Sequence, residues 1–164
     1  MEAIAGFDIR AATRSDVPVI HGLIGALADY EKLSHIFVAT PADIESALFG
    51  PQHVAEVLIA WKNEEAAGFA LFLHNFSTFL GRRGLWLEDL FVRPAFRRRG
   101  CAKAMLKALA RLAVERNCGR FEWSVLDWNA PAIAFYESLG AKVLPDWRIV
   151  RMVGPALDAF ARDA

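Results

Sequence analysis

Between Val17 and Leu27 the apolar residues Val19, Ile20, Leu23, Ile24 and Leu27 recur every three or four positions, the spacing that lines one face of an α-helix. Pro18 lies early in that stretch, where a missing N–H is tolerated, and Ser15 and Asp16 precede it as cap candidates. "TPADIESALFG" predicts a second helix with Thr40 as N-cap, Pro41 at the first helical position, Asp43 in the first turn and Gly50 as the stop. The pattern then changes period. "GFDIRAAT" alternates weakly and predicts an opening strand, and "VAEVLIAWKNEEAAGFALFLHNFSTF" predicts two strands joined by a polar "KNEE" turn. "GLWLEDLFV" is a further strand, bounded by Gly84 and Pro94. After Gly100 the helical period returns: Ala102, Met105, Leu106, Leu109, Leu112 and Ala113 mark one face, with Lys103, Lys107, Arg111 and Arg116 largely off it. "RFEWSVLDW" predicts the next strand, "NAPAIAFYESLGA" a short helix capped by Asn129 and ended by Gly140, and "DWRIVRMVG" a strand that closes the sheet.

These elements predict a mixed α/β (α+β) domain whose central sheet is largely antiparallel. One βαβ unit interrupts it, running from strand 85–92 through a helix to strand 120–126. No repeat, low-complexity stretch or long linker divides the chain, so residues 1–164 are expected to form a single domain.

Composition narrows the function classes. With 55% apolar and 23% charged residues the chain is globular in character. Nineteen basic and nineteen acidic side chains cancel, so neither nucleic acid nor an anionic membrane is attracted by overall charge, and neither is expected as a partner. Cys101 and Cys118 do not frame a disulfide scaffold, and His21, His35, His53 and His74 show no metal-ligand spacing, so no metal is expected. No signal peptide and no run of about eighteen apolar residues is visible, which makes a cytoplasmic location the expectation.

Three adjacent arginines, Arg97, Arg98 and Arg99, then stand out before Gly100. A turn that leads from a strand into a helix offers several convergent backbone N–H groups and the positive end of the helix dipole. Gly100 lets backbone approach a ligand closely, and small Cys101 and Ala102 continue that clearance. The geometry suits a phosphate or pyrophosphate; a solvated basic turn and a nucleic-acid patch are the competing readings. The turn is neither a Walker loop nor a GxGxxG loop. Cys101 could instead be an acyl-carrying nucleophile, although no His/Asp pair is placed in sequence to activate it.

"VRPAFRRRGCA" resembles the acetyl-CoA signature of the GNAT N-acetyltransferases, with Arg97, Gly100 and Ala102 at the three signature positions. "LADYE", "WLEDLFV", "VLDWNAPAIAFYESLGA" and "DWRIV" extend the similarity to the spermidine/spermine (polyamine) and thialysine acetyltransferase branch over roughly residues 9 to 153. The resemblance implies the GNAT fold, with about six or seven strands flanked by about four helices, and acetyl-CoA as co-substrate. It implies that amides of Arg98, Arg99, Gly100, Cys101, Ala102 and Lys103, with Arg97, wrap the pyrophosphate, and that the backbone of Leu90, Phe91 and Val92 pairs with the pantetheine arm. Asn129, Ala130, Pro131 and Ala132 join that cofactor set.

The same resemblance assigns Glu88 as general base and Tyr136 as the acid that protonates the departing thiolate; Tyr136 also counts among the cofactor contacts. Read without it, Glu88 is a strand-edge carboxylate and Tyr136 a half-buried aromatic on an amphipathic helix. Substrate contacts carried over are Tyr30, Glu31, Glu88, Asp89, Glu122, Trp123, Ser124 and Asp146. Regular pleating sends Glu88 and Asp89 to opposite faces, and a bulge would bring both toward one cleft. Arg82 and Arg83 depart from the polyamine pattern and favour an amino-acid-like substrate whose carboxylate an arginine could bind. The expected function is N-acetylation of a small primary amine by direct transfer, in a homodimer. A peptide or protein amine as acceptor and a non-catalytic CoA-binding regulator are the alternatives.

Overall fold

The structure, a computed structural model, describes residues 6–162. Strands β1 (Asp8–Ala11), β2 (Glu56–Lys62), β3 (Glu65–Ser77), β4 (Arg82–Val92) and β5 (Phe121–Trp123) form one sheet in that order. The first four are antiparallel neighbours, and β5 runs parallel to β4. The helices are α1 (Val17–Tyr30), α2 (Pro41–Phe49), α3 (Cys101–Glu115), α4 (Ala130–Ser138) and α5 (Pro155–Arg162). The chain divides after Ser124 into two compact units; the first holds the sheet with α1 to α3, the second α4 and α5. The mostly antiparallel sheet and the β4–α3–β5 crossover match the pattern of the sequence.

The expected six or seven strands become five, and about four helices become five, among the described residues. Residues 146–154 form no strand. Their side chains have strand character, but a strand exists only through ladder hydrogen bonds to a neighbour, and this segment has none; Trp147, Ile149 and Val150 are 77%, 69% and 93% exposed. The predicted strand 120–126 closes at Trp123 for the same reason, because its pairing with β4 stops there. The unpredicted α5 begins at Pro155, just after Gly154 (φ +58°), with Asp158 in its first turn and Arg162 in its last, as the helix dipole favours.

Local signals hold well in the first unit. Thr40 caps α2: its hydroxyl accepts from the Asp43 N–H at 3.2 Å, and its own N–H donates to the Asp43 carboxylate at 2.8 Å. Asp16 is the N-cap of α1, but its carboxylate turns back to accept from Thr13 N–H and Oγ, because one 3₁₀ turn (Arg14–Asp16) precedes the helix. The predicted "KNEE" turn shrinks to Asn63 and Glu64, with Asn63 at φ +56°, a conformation asparagine tolerates.

Two apolar layers sandwich the sheet. On one face Ile20, Leu23 and Leu27 of α1 and Leu48 of α2 pack with Val57, Ile59, Phe69 and Phe91. On the other, α3 lies across β3 and β4. The buried side of α3 is Cys101, Ala104, Met105, Leu106, Leu109 and Ala113, so Cys101 and Ala104 replace the predicted Ala102 and Leu112, which are only half-buried. Gly68 sets the closeness of this layer: a Cβ there would stand 2.3 Å from the Phe91 carbonyl oxygen and 3.3 Å from Met105 Cε. Among the described residues no helix is long and apolar enough to cross a membrane.

Candidate active site

The chemistry gathers on β4 where its ladder breaks. Phe72 of β3 faces Leu87, and the next β3 position, Leu71, faces Asp89, so Glu88 is the extra residue of a β-bulge. The alternation of side chains is thereby reset. Leu85 and Leu87 are buried opposite His74 and Phe72, whereas Asp89 and Phe91 pair with Leu71 and Phe69 on the α1 face. Glu88 is exposed, and its Oε2 accepts a 2.8 Å hydrogen bond from the indole N–H of Trp86.

Asp89 is half-buried, and its carboxyl is pushed up to about 6 by burial first and then by the charges of Glu88 and Glu31. Burial also raises the Glu31 carboxyl above the usual carboxylate range. The bulge thus assembles an acidic group from the end of α1 and two consecutive β4 positions, three of the predicted substrate residues. Because the folded state holds the Asp89 proton more tightly than the unfolded chain does, the fold gains from it at low pH and loses that gain as pH rises from about 4 through 6. Asp89→Asn is expected to raise stability at pH 8 by about 1–3 kcal/mol and to be neutral near pH 4, in thermal unfolding at the two pH values. An equal shift at both pH values would remove the carboxylate from the explanation.

Past Leu87 the sheet opens. β4 and β5 pair only at Leu85–Phe121, Trp86–Glu122 and Leu87–Trp123. From Glu88 to Val92 the β5 side of β4 has no strand beside it among the described residues, and such an edge can receive an added extended chain. The strand then runs through a 3₁₀ turn (Pro94–Phe96) into the arginines. Gly100 lies at φ +82° as the N-cap of α3, with no side-chain cap on the helix, so the first-turn N–H groups are left for a ligand. Arg98 is also left-handed at φ +60°, and Arg98, Arg99 and Lys103 are exposed. Arg97 behaves differently: its Nε donates to the Val92 carbonyl at 2.9 Å, and its guanidinium stacks over the rings of Tyr30 (4.6 Å) and Phe91 (5.7 Å). It ties the turn to the end of α1, a link that nothing in the sequence pattern indicated.

Cys101 is 2% exposed, and burial pushes its thiol up to about 11, which leaves almost no thiolate at neutral pH. It serves as a small core residue of α3, and the acyl-carrying role falls away. Glu122 is paired with Arg120 at 2.7 Å, and Trp123 stacks on Phe121 at 4.9 Å. Ser124 is exposed at the end of β5. Arg82 and Arg83 lie at the start of β4, five or six extended residues, about 15–20 Å, from Glu88. They line an open hollow with Glu115, Arg116 and Asn117, at the end of α3 remote from Gly100.

In the second unit Asn129 caps α4, its Oδ1 accepting from the Ala132 N–H at 3.4 Å. Ala130 and Pro131 form the exposed first turn, and Tyr136 is half-buried beside Phe135, with ring centroids 5.5 Å apart. Gly140 at φ +90° ends the helix, and Asp146 is exposed in a turn.

Comparison with known proteins decides the lineage. The description "Acetyltransferase (GNAT) family" matches residues 26–141, which run from the last turn of α1 through α4 and include the bulge and the turn. The chain belongs to the GNAT acetyltransferase family. It is 36% identical to an L-ornithine N5-acetyltransferase of Arabidopsis thaliana, over 93% of this chain and 86% of the relative. It is also 36% identical to a thialysine N-epsilon-acetyltransferase of Caenorhabditis elegans, over 94% of this chain and 97% of the relative. Among solved structures, an integron cassette protein of V. cholerae superposes with a TM-score of 0.81 at 24% identity, covering 96% of this chain and 98% of that one.

This GNAT protein is therefore an acetyl-CoA-dependent N-acetyltransferase. Its geometry fits that co-substrate. A left-handed glycine opens an uncapped helix N-terminus to phosphate oxygens, and an unpaired strand edge begins at the bulge. Among the described residues no group of three or more His, Cys, Asp or Glu side chains is arranged to hold a metal ion.

Proposed function

We propose that the enzyme transfers the acetyl group of acetyl-CoA directly to the terminal amine of a small aminoalkyl substrate, a diamine or a diamino acid, in a ternary complex. The observation that carries this reading is the bulge, which frees an exposed carboxylate, Glu88, where the open β4 edge begins. An alkyl amine with a pKa near 10.4 is neutral in only about one molecule in a few thousand at pH 7, so a base beside the thioester is of use.

In this reading the first-turn amides from Arg98 to Lys103 hold the pyrophosphate. The free edge of Leu90, Phe91 and Val92 holds the pantetheine arm, and Asn129 to Ala132 at the start of α4 add further contacts. Glu88 removes the ammonium proton, directly or through a water. The amine nitrogen bonds to the acetyl carbon, the C–S bond breaks, and Tyr136 gives the leaving thiolate a proton. The second proton, shed by the new amide nitrogen, returns to Tyr136 through water, while Glu88 releases its own to solvent. Asp89, which feels the charges of both Glu88 and Glu31, attracts the second cation of the substrate together with Glu31, and Tyr30 adds a further contact. Glu122, Trp123 and Ser124 contribute a wall, and Asp146 a further acidic contact.

The names of the relatives, for ornithine and for thialysine, support an amine carried on an amino acid. Thiol release from acetyl-CoA against L-ornithine, thialysine, spermidine, putrescine and short peptides tests it. Turnover of at least one small amine, well above every peptide, is expected. Turnover confined to peptides would replace this reading with a peptide or protein acceptor.

A further inference from the structure

We infer that Trp86 is a positioning residue for the base: its indole N–H locks one oxygen of Glu88 and leaves the other to take the proton. The inference rests on the assignment of Glu88 above.

The two side chains stand two positions apart on β4, and Trp86 Nε1 donates to Glu88 Oε2 at 2.8 Å. Glu88 has particular need of such a partner. It is the unpaired residue of the bulge, so no facing β3 residue steadies it, and its exposed carboxylate turns about three side-chain bonds. Trp86 is fixed where Glu88 is free. It is half-buried and sits in register on both sides, opposite Leu73 of β3 and Glu122 of β5, at the last stretch where β4 is paired twice. A ring on the doubly paired stretch thus reaches the exposed acid at the opening.

The donor is suited to this task. An indole N–H donates and cannot accept, so it cannot compete for the ammonium proton. It is satisfied by an acceptor oxygen, and in binding Oε2 it leaves Oε1 as the free acceptor. Asp89, which follows Glu88 on β4, and Glu31, whose charge Asp89 also feels, bring negative charge and no such donor. Trp86 touches neither acetyl group nor amine in this scheme; it acts through Glu88.

The test is a double-mutant cycle of Trp86→Phe and Glu88→Gln, assayed on whichever amine of the panel turns over fastest. Trp86→Phe keeps the aromatic bulk and deletes the N–H. Its kcat is expected to fall about 10- to 100-fold, the scale of a misplaced reacting group, with the KM for acetyl-CoA within about twofold. In the Glu88→Gln background the same change is expected to have little further effect, since the proton acceptor it orients is gone. Trp86→Tyr, which restores a hydroxyl donor, is expected to recover part of the loss, and it stands in if the phenylalanine variant folds poorly. A wild-type rate for Trp86→Phe, or an equal loss in both backgrounds, overturns the positioning role while Glu88 remains the base. A wild-type rate for Glu88→Gln overturns both.

Discussion

Glu88→Gln is expected to lower kcat about 10²- to 10³-fold at pH 7 while acetyl-CoA binds as before. The range is what a positioned general base supplies. Glutamine keeps the shape of the side chain and can accept the Trp86 hydrogen bond through its amide oxygen, so the bulge and the neighbouring core are left in place. A pH dependence follows from this role. The base matters because the amine is protonated; near pH 10 about a quarter of it is already neutral. The deficit of the variant is therefore expected to shrink steadily from pH 7 toward pH 10, as read from kcat/KM profiles of the two proteins. A deficit that stays constant over that range would mean that Glu88 orients substrate without moving a proton. Applied to Tyr136→Phe, the same assay reads the other end of the reaction. A several-fold or greater fall in kcat with unchanged acetyl-CoA affinity is expected, and an unaltered rate would free Tyr136 of the acid role.

Gly100→Val is expected to weaken acetyl-CoA binding about 100-fold. Two costs coincide at this position. A side chain at φ +82° is strained by about 1–2 kcal/mol, and the branched Cβ would stand where, in the proposed site, phosphate oxygens approach the first-turn amides of α3. The loss should appear in the dissociation constant for acetyl-CoA, measured by calorimetry, while kcat at saturating acetyl-CoA changes much less. Thermal unfolding without ligand separates the two costs, since strain lowers the midpoint whether or not phosphate binds there. Unchanged affinity in a folded variant would place the pyrophosphate elsewhere.

The turn that this second variant probes was legible from the sequence because its parts are contiguous. A glycine at the end of a strand, small residues after it and an amphipathic repeat are enough to predict an uncapped helix start. The bulge beneath the first variant was legible only as an alternative to regular pleating. Leu85, Leu87, Asp89 and Phe91 share one parity, so an unbroken strand would bury a carboxylate between apolar side chains. That conflict is the trace of the bulge in the sequence. It does not locate the extra residue, because the register is set by β3, and no glycine or proline marks Glu88.

The contacts of Arg97 and the gathering of Glu31 with Asp89 lay further out of reach, since each joins α1 to residues about sixty positions away. Arg82 and Arg83 are a different case. They were legible as a change of residue type, and only the length of β4 gives their distance from Glu88.

What the sequence determined by itself were the features written in neighbouring residues: the Thr40 and Asn129 caps, the helical faces, the strand periods and the signature turn. The tertiary structure alone decided pairing and proximity. It shifted the register by one residue at Glu88, parted β4 from β5 after Leu87, and left residues 146–154 without a ladder partner. The reason is the range of the forces involved. Caps and helical periods are satisfied within a few residues, whereas a ladder, an open edge or a raised carboxyl depends on groups that only folding brings together.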